Sequence, residues 1–336
     1  MPNPPLVSVS VLSYQHEDFL AQAVESALAQ ETCFDVEIVI GVDGGGDDRT
    51  AEIARTLASE HANVRAIIHP VRGAGIPGRV NNVSNLAACR GKYIAMLDGD
   101  DYWVDRRKLA RQVAVLERDA SIGLVFHDVE VFYDDPQHPA YSFFSRGDLV
   151  DDPNRPRTYN LVEIAQRGHS RVPTSSMMFR ASAIHPLPTW FHSILAADFA
   201  LQLLACHGAK AHYLPIRAGR YRKHASSVTQ TIWRNRPNFF RKLVELDVYS
   251  AHFDLDREFF NRMRAWVHYD LVESYWPTRK SAALYHLAQA ARRDPFVSAK
   301  RLKDSLLHSA SSLAPPRPAR APFPESMSAV NSAAPS

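Results

Sequence analysis

Residues 92–103 read KYIAMLDGDDYW, and this stretch decides the fold. Residues 93–97 are mostly apolar and have the length of a buried strand. The run ends abruptly at residues 98–101, which hold three carboxylates within four positions. A lone Asp-Gly pair would be typical of an ordinary turn. Three like charges where water is partly excluded need a compensating cation, however, and Mg²⁺ or Mn²⁺ prefers carboxylate oxygens.

The first part of the chain alternates strand and helix patterns. Predicted strands cover residues 7–12, 36–40, 64–68, 93–97 and 124–132, with amphipathic helical patterns between them. This alternation predicts parallel strands joined by right-handed crossovers, and therefore a Rossmann-like, doubly wound α/β sheet. Ligands of such sheets bind beyond the carboxyl ends of the strands. Several polar residues follow predicted strands, so we expect them at one edge of the sheet: Ser13, Tyr14, Asp43 and residues 98–100.

The composition argues against several classes of protein. The chain has 336 residues, of which 46% are hydrophobic, and a net charge of +3, so no nucleic-acid partner is expected. Its three cysteines form no CxxC pair, which favours a reducing compartment. Neither a signal-peptide pattern nor an apolar run of ~18–20 residues is visible, which predicts a cytoplasmic protein that meets a membrane only at its surface.

A second glycine-rich segment, VDGGGDDRT at residues 42–50, follows the second predicted strand. Its glycines let a ligand approach the backbone closely. The segment matches neither GxGxxG nor a Walker motif, so dinucleotide and P-loop chemistry are not favoured. The carboxylate of Asp43 suits a base or ribose donor group better than a phosphate. The alternative is an Asx turn followed by a helix cap at Asp47 or Asp48.

The ordered set VSVSVLSYQHEDFLAQAVESALAQ, VDGGGDDRT and GKYIAMLDGDDYW, followed by KLARQVAVLE, resembles the family 2 glycosyltransferases of GT-A fold. The resemblance covers roughly residues 7–228. It implies hexosyl or related glycosyl transfer from a nucleotide-diphosphate donor, with a UDP-sugar favoured, to an acceptor hydroxyl. The transfer would invert the anomeric carbon and use Mn²⁺ or Mg²⁺.

By position, the resemblance also implies roles for single residues. Ser13 and Tyr14 would contact the nucleoside, and Asp43 would read the edge of the uracil or other base. Asp98 would contact the ribose or sugar, and Asp100 would bind the metal. These five residues follow the first, second and fourth predicted strands.

In the second half of the chain, ILAADFALQLLACHG places Asp198 where the family has an acid, so it would be the general base; a plain helix N-cap is the alternative. The segment YRKHASSVTQ resembles the loop that closes over the donor. There His224 would complete the metal shell and Arg222 would meet the diphosphate. Three polar residues in VPTSSMMFR would hold acceptor hydroxyls, or would be ordinary strand residues: Thr174, Ser175 and Ser176.

The sequence departs from the family pattern at two places. Residues 42–45 keep only the second of the usual two acids, and the usual Ala-Arg-Asn is changed at residues 79–82. A degenerate nucleotide-sugar-binding protein therefore stays an alternative. A nucleotidyltransferase is a further one, although it usually has a Gly-rich basic loop where this chain reads LSYQHED.

The predicted organisation has three parts. Residues 1–232 form the GT-A catalytic domain, with a nucleotide-sugar half at about 1–134 and an acceptor half at about 158–232. Residues 233–313 form a helical C-terminal region, and residues 314–336, rich in Pro, Ala and Ser, form a disordered tail. The polar residues 134–158 predict a long loop near the site.

The family also implies expectations about the acceptor. It would be a saccharide or lipid-linked saccharide used in cell-surface polysaccharide or lipopolysaccharide synthesis. The helical region carries Trp233, Trp266 and Trp276, and could rest on the inner face of the cell membrane. The alternative is a helical cap packed on the catalytic domain.

Overall fold

The structure, a computed structural model, describes residues 4–72, 75–135, 137–146, 150–166, 172–224 and 236–295. Ten strands in these residues form one mixed sheet. The strands are β1 (Val7–Ser13), β2 (Val36–Val42), β3 (Val64–Ile68), β4 (Tyr93–Asp98), β5 (Tyr102–Trp103), β6 (Ile122–Tyr133), β7 (Tyr141–Ser142), β8 (Arg157–Tyr159), β9 (Met178–Arg180) and β10 (Lys210–Lys223).

Helices flank the sheet and form the C-terminal part of the described chain. They are α1 (Leu20–Leu28), α2 (Thr50–Glu60), α3 (Arg79–Ala88), α4 (Lys108–Arg118), α5 (Leu161–Gln166), α6 (Ala197–Cys206), α7 (Arg236–His252), α8 (Arg257–Tyr275) and α9 (Lys280–Arg293). Across the ranges given above, none of these helices combines the length and apolar composition that crossing a bilayer requires. The predicted helical C-terminal extension is confirmed by α7, α8 and α9.

The strand order is β3-β2-β1-β4-β9-β6-β10-β5, with β7 beside β6 and β8 beside β10. Strands β1 to β4 are parallel, and β9 runs antiparallel between β4 and β6. The predicted doubly wound sheet is therefore confirmed, with antiparallel strands added in the second half. The order reverses at β1, which lies between β2 and β4. This reversal is the position at which such sheets bind ligands.

Apolar side chains cover both faces of the sheet, because each face is buried by helices. One face packs Val9 and Leu97 against α1, α2 and α4. The other face packs Ile94 and Phe126 against α3, α6 and α7. Helix α7 belongs to this second core through Leu246, so the first C-terminal helix is packed on the catalytic sheet.

The prediction of a long polar loop over residues 134–158 is wrong for its middle part. Tyr141–Ser142 form strand β7 beside β6, and Phe144 and Val150 are only 3% and 1% exposed. Phe144 packs against the ring of Phe126 at 6.0 Å between centroids. The segment is anchored because its few apolar residues belong to the same core as Phe126, which a low average hydropathy does not reveal.

The start of β6 packs so closely on α6 that residue 123 must be glycine. A Cβ atom at Gly123 would lie 1.9 Å from the carbonyl oxygen of Ala205. We expect Gly123→Ala to lower the free energy of unfolding by roughly 1–3 kcal/mol, because α6 must move away from the sheet. Urea unfolding measures the loss. Gly46→Ala, at an exposed position with more room, is the control, and equal stabilities for the two variants would contradict the prediction.

Candidate active site

The carboxyl ends of β1, β2 and β4 meet at one edge of the sheet, as the sequence predicted. The N–H of Asp43 donates to the carbonyl oxygen of Ser13 at 2.9 Å, and the N–H of Gly99 donates to that of Leu12 at 2.8 Å. Asp98, the last residue of β4, lies opposite Leu12 in the parallel register. The turns after β2 and β4 are therefore both hydrogen-bonded to the end of β1.

The glycine between the carboxylates is required by a close approach of two turns. A Cβ atom at Gly99 would lie 2.9 Å from Ser13 Oγ, 2.9 Å from His16 Nδ1 and 3.0 Å from the carbonyl oxygen of Leu12. Any side chain at this position would separate the end of β4 from the turn after β1. The Asp-Gly-Asp sequence thus lets the carboxylates lie directly beside the first turn.

Each of the three carboxylates has a different electrostatic environment. Burial alone would raise the pKa of Asp100, but a 3.0 Å hydrogen bond with His224 Nε2 and the nearby His16 together lower it. Burial, and then the like charges of Asp100 and Asp198, raise the pKa of Asp98. Asp100 is therefore the carboxylate held in its ionised form, and it is the one best suited to bind a cation.

The third carboxylate, that of Asp101, is buried and serves as an internal acceptor. It accepts hydrogen bonds from the Ser175 hydroxyl and, at 2.9 Å, from the N–H of Arg222. Burial and the charges of Asp100 and Asp98 nevertheless raise its pKa well above the usual value. Asp101 joins the β4 turn to the end of β10 rather than facing the open edge.

A residue that the sequence analysis did not select, His16, completes a possible metal site. One ligand atom each from His16, Asp100 and His224 lies within 4.8 Å of the others. Gln15 has a φ of 54°, in the left-handed region, and this turn directs His16 back over the end of β4. Burial lowers the pKa of His16, which keeps its imidazole neutral and able to bind a metal.

The signal for His16 was present in LSYQHED, two residues after Tyr14. A histidine in a turn is by itself weak evidence, because only the packing of that turn against β4 brings it near Asp100. Its Nδ1 atom is buried and has no hydrogen-bond partner in the part of the chain that the structure describes. The donor set of two imidazole nitrogens and one carboxylate oxygen fits a divalent transition metal.

Asp43, in the turn after β2, has one oxygen engaged and one unsatisfied. Its Oδ2 accepts hydrogen bonds from Arg72 Nε and the N–H of Gly78, both at 3.1 Å. Its Oδ1 is buried, and no donor of the described residues reaches it; the same holds for Ser13 Oγ. The Arg72 guanidinium lies 3.9 Å above the centre of the Tyr14 ring. No pattern in the sequence would have identified Arg72 as a partner of Asp43 and Tyr14.

Arg222, expected at the diphosphate, is engaged within the protein. Its Nε donates to the carbonyl oxygen of Asp100 at 3.1 Å, its Nη2 to Gln22 at 2.9 Å, and its Nη1 to Asp134. The guanidinium also lies over the rings of Phe19 and Phe132, at 4.5 and 4.8 Å. The side chain thereby connects β10 to the carboxylate turn, two residues before His224.

The three expected acceptor-side residues differ in accessibility. Thr174 is partly exposed, whereas Ser175 and Ser176 are buried. The Ser176 hydroxyl donates to the carbonyl oxygen of Pro173 at 2.7 Å. The Ser175 hydroxyl donates to Asp101 and accepts the N–H of Asp98 at 3.3 Å. Both serine hydroxyls thus serve the protein's own framework, and Ser175 supports the carboxylate turn.

Asp198 lies in the first turn of α6, and its charge helps to raise the pKa of Asp98. The N-cap position belongs to Ala196, so Asp198 is not the plain N-cap that the sequence left open. Its Oδ1 accepts the N–H of Phe199 at 2.8 Å. Burial raises its pKa, against the opposing effects of that N–H and of Arg79. A carboxylate with a raised pKa is a stronger base, as proton abstraction requires.

The doubly wound strand order, with carboxylates at its switch point, is that of a GT-A-type fold. Residues 8–185, more than half of the chain, match the family model described as Glycosyl transferase family 2. The chain therefore belongs to glycosyl transferase family 2, which confirms the resemblance stated from its motifs.

Two relatives are similar to this chain over most of its length. An uncharacterized protein of Mycobacterium tuberculosis is 28% identical over 239 residues, which cover 70% of this chain and 63% of the relative. The chain thus spans less than two thirds of that relative. The Escherichia coli UDP-Glc:alpha-D-GlcNAc-diphosphoundecaprenol beta-1,3-glucosyltransferase WfaP is 28% identical over 240 residues, which cover 71% of this chain and 83% of WfaP.

Solved structures of low sequence identity share the fold. S. aureus TarS (residues 1–349) in complex with UDP-GlcNAc superposes with a TM-score of 0.59 at 16% identity, over 87% of this chain and 82% of TarS. The mannosyltransferase PcManGT from Pyrobaculum calidifontis, in complex with GDP-Man and Mn²⁺, superposes with a TM-score of 0.55 at 17% identity. That match covers 93% of this chain and 81% of PcManGT.

Proposed function

We propose that this protein transfers a glycosyl group from a nucleoside-diphosphate donor to an acceptor hydroxyl, with inversion and with a bound divalent metal. The observation that carries the proposal is the cluster of His16, Asp100 and His224 at the switch point of the sheet. Asp43 flanks this cluster on the donor side. Asp198, on α6, acts electrostatically on Asp98, two residues before Asp100.

The donor set supports Mn²⁺ over Mg²⁺. Mg²⁺ prefers oxygen ligands and gives up water reluctantly, whereas imidazole nitrogen suits transition-metal ions better. A bound ion would neutralise the charge that develops on the leaving nucleoside diphosphate. The protein's part is to hold Asp100 ionised and His16 neutral, which the environments of both side chains favour.

The donor side offers groups that a base with an N–H donor would use, and a uridine nucleotide is the one we propose. The unsatisfied Oδ1 of Asp43 is an acceptor for a base N–H, and the Tyr14 ring, covered by Arg72, offers an aromatic surface beside it. The buried hydroxyl of Ser13 is available to the nucleoside. Because solved proteins of this fold bind UDP-GlcNAc in one case and GDP-Man in another, the fold does not choose the base.

The proposed reaction uses Asp198 as the base and the candidate metal ligands at the leaving diphosphate. The acceptor oxygen attacks the anomeric carbon in line with the leaving diphosphate, and its proton passes to the Asp198 carboxylate. The carbon–oxygen bond to the diphosphate breaks as the new glycosidic bond forms, which inverts the configuration. Thr174 is the partly exposed residue of the acceptor side. Of the segment 221–230, expected to close over the donor, residues 225–230 lie outside the described residues.

We further infer a lipid-linked saccharide acceptor reached at the inner face of a membrane. WfaP, by its name, acts on a GlcNAc-diphosphoundecaprenol. Trp266 and Trp276 on the C-terminal helices are each 44% exposed, as an interfacial contact requires. Three features lie outside the described residues: Trp233, the proposed boundary at residues 232/233 and the proposed disordered tail at 314–336. In the proposed organisation, residues 1–232 are catalytic and 233–313 helical.

A donor panel tests the function. UDP-, GDP- and dTDP-sugars are each added with Mn²⁺ or Mg²⁺, and thermal stabilisation and released nucleoside diphosphate are recorded. We expect stabilisation by UDP-sugars that depends on Mn²⁺, with slow release of UDP. Binding without any turnover, even with lipid-linked acceptors, would favour a degenerate nucleotide-sugar-binding protein. Absence of any response to nucleotide sugars would contradict the proposal.

The assignment of Asp43 makes a separate prediction. We expect Asp43→Ala to weaken UDP binding about 10–100-fold, because a hydrogen bond to a charged acceptor is lost. Isothermal titration calorimetry with UDP and Mn²⁺ measures the change. Asp47→Ala, which removes an exposed carboxylate of the same segment, is the matched control. Unchanged UDP affinity in Asp43→Ala would exclude Asp43 from the donor site.

A further inference from the structure

A buried polar cluster lies behind Asp198, where α3, α6 and α7 meet. Arg79 from α3 is 5% exposed, and Glu245 and Tyr249 from α7 are each 1% exposed. Arg79 and Glu245 both act electrostatically on each other and on Asp198. Burying charged groups costs stability unless they are paired and hydrogen-bonded, so the contacts that these side chains make identify their role.

The contacts converge on the peptide segment 194–196, directly before α6. Glu245 Oε1 accepts the N–H groups of Leu195 and, at 3.3 Å, Ala196. Arg79 Nη2 donates to the carbonyl oxygens of Ile194, at 2.7 Å, and Leu195, at 3.2 Å. One side chain thus holds the N–H groups of the segment and the other holds its carbonyl groups, from two different helices.

We propose that Glu245 and Arg79 are positioning residues that set the place of Asp198 by clamping residues 194–196. Helix α7, in the C-terminal region, therefore helps to set the geometry of the active site. The inference rests on the proposed function, in which Asp198 is the base. Asp198 lies two residues beyond the clamped segment, so a movement of that segment moves the carboxylate with it.

The clamp is separable from the packing of α7. Leu246, Tyr249 and Phe253 anchor α7 in the core through apolar and ring contacts, independently of the Glu245 carboxylate. Burial raises the pKa of Glu245 to about 8, against the opposing effects of the Ala196 N–H and Arg79. An acid whose pKa is raised by folding lowers the stability of the folded protein at neutral pH. This fits a residue kept for the geometry of the site.

The experiment compares Glu245→Ala and Glu245→Gln in the wild-type protein and in Asp198→Asn. We expect Glu245→Ala to lower kcat of transfer about 10–100-fold, because a displacement of about 1 Å can have that effect. The Kd for UDP with Mn²⁺ should stay unchanged, because the proposed donor site lies at the ends of β1, β2 and β4 and not on α6 or α7. Glu245→Gln keeps an acceptor oxygen and should restore most of the rate.

In the Asp198→Asn protein, Glu245→Ala should cause no further loss of the residual rate, measured with radiolabelled donor. Non-additivity of this kind is the mark of a residue that acts through another. Glu273→Ala, which removes an exposed glutamate of α8, is the matched control for the C-terminal region. Should Glu245→Ala fail to fold, Glu245→Leu fills the same space without the acceptor oxygen and is expected to show the same loss.

Several outcomes would overturn the clamp. They are wild-type kcat in Glu245→Ala, an equal loss in both backgrounds, and a loss of UDP affinity that accounts for the lower rate. If Asp198→Asn lowers transfer and Glu245→Ala does not, the clamp alone is wrong and the proposed function stands. If Asp198→Asn transfers sugar at the wild-type rate, the base assignment fails and this inference fails with it.

Discussion

Replacing Asp198 with Asn is expected to lower the rate of sugar transfer by about 10²–10⁴-fold while UDP still binds normally. The amide has nearly the same shape as the carboxylate, but it cannot accept the proton of the acceptor hydroxyl. The donor side is built on β1, β2 and β4, so its geometry does not depend on this residue. Initial rates with a radiolabelled donor, and calorimetric titration with UDP and Mn²⁺, measure the two quantities separately.

The pH dependence of the rate gives an independent test of the same residue. Because burial raises the pKa of Asp198, the carboxylate becomes protonated at a higher pH than an ordinary Asp would. Activity should therefore fall on the acid side at a pH above the usual range for Asp. Asp247→Asn, at an exposed position on α7, is the control. A normal rate for Asp198→Asn would exclude Asp198 as the base.

Replacing Asp100 with Asn is expected to abolish metal-dependent donor binding and to lower transfer by at least about 100-fold. Asp100 supplies the negative charge among the three candidate ligands, since burial keeps His16 neutral. Without that charge, the two imidazole nitrogens should bind Mn²⁺ far more weakly. The Mn²⁺ affinity is measured by electron paramagnetic resonance of the free ion, and donor binding by calorimetry.

A graded series distinguishes the metal ligands from each other. We expect His16→Ala to weaken Mn²⁺ binding about 10-fold, less than Asp100→Asn, because it removes a neutral ligand. His138→Ala removes an exposed histidine and serves as the control. Wild-type Mn²⁺ affinity in Asp100→Asn would contradict the site as a whole. Wild-type affinity in His16→Ala alone would leave Asp100 and His224 as ligands and remove His16.

The three carboxylates after β4 illustrate how one turn can serve several purposes. Asp100 is held ionised by its histidine partners, and Asp101 is buried as an acceptor for Ser175. The pKa of Asp98 is raised by burial and by the charges of Asp100 and Asp198. Their mutual repulsion is thus reduced by their different surroundings and by the raised pKa values of Asp98 and Asp101. The compensating ion predicted from the sequence stays a prediction, and Asp100 is its candidate carboxylate ligand.

The sequence by itself determined the parallel half of the sheet and its functional edge. Strands β1 to β4 are short apolar runs, and such runs alternate with amphipathic helices only in a few topologies. The positions of Asp43 and Asp98 at strand ends follow directly, because parallel strands end on one side. The ordered motifs also select Asp198 as the candidate base, a role that stays a prediction and that no local pattern distinguishes from a helix cap.

Only the tertiary structure decided which side chains surround those carboxylates. His16 reaches Asp100 through a left-handed turn at Gln15, and Arg222 is engaged by Gln22, 200 residues away in the chain. Glu245 holds a segment 50 residues before it. Contacts of this kind depend on how helices and turns pack on the sheet. Hydrophobic periodicity specifies which face of a helix is buried, but it does not specify which polar side chains meet across the interface.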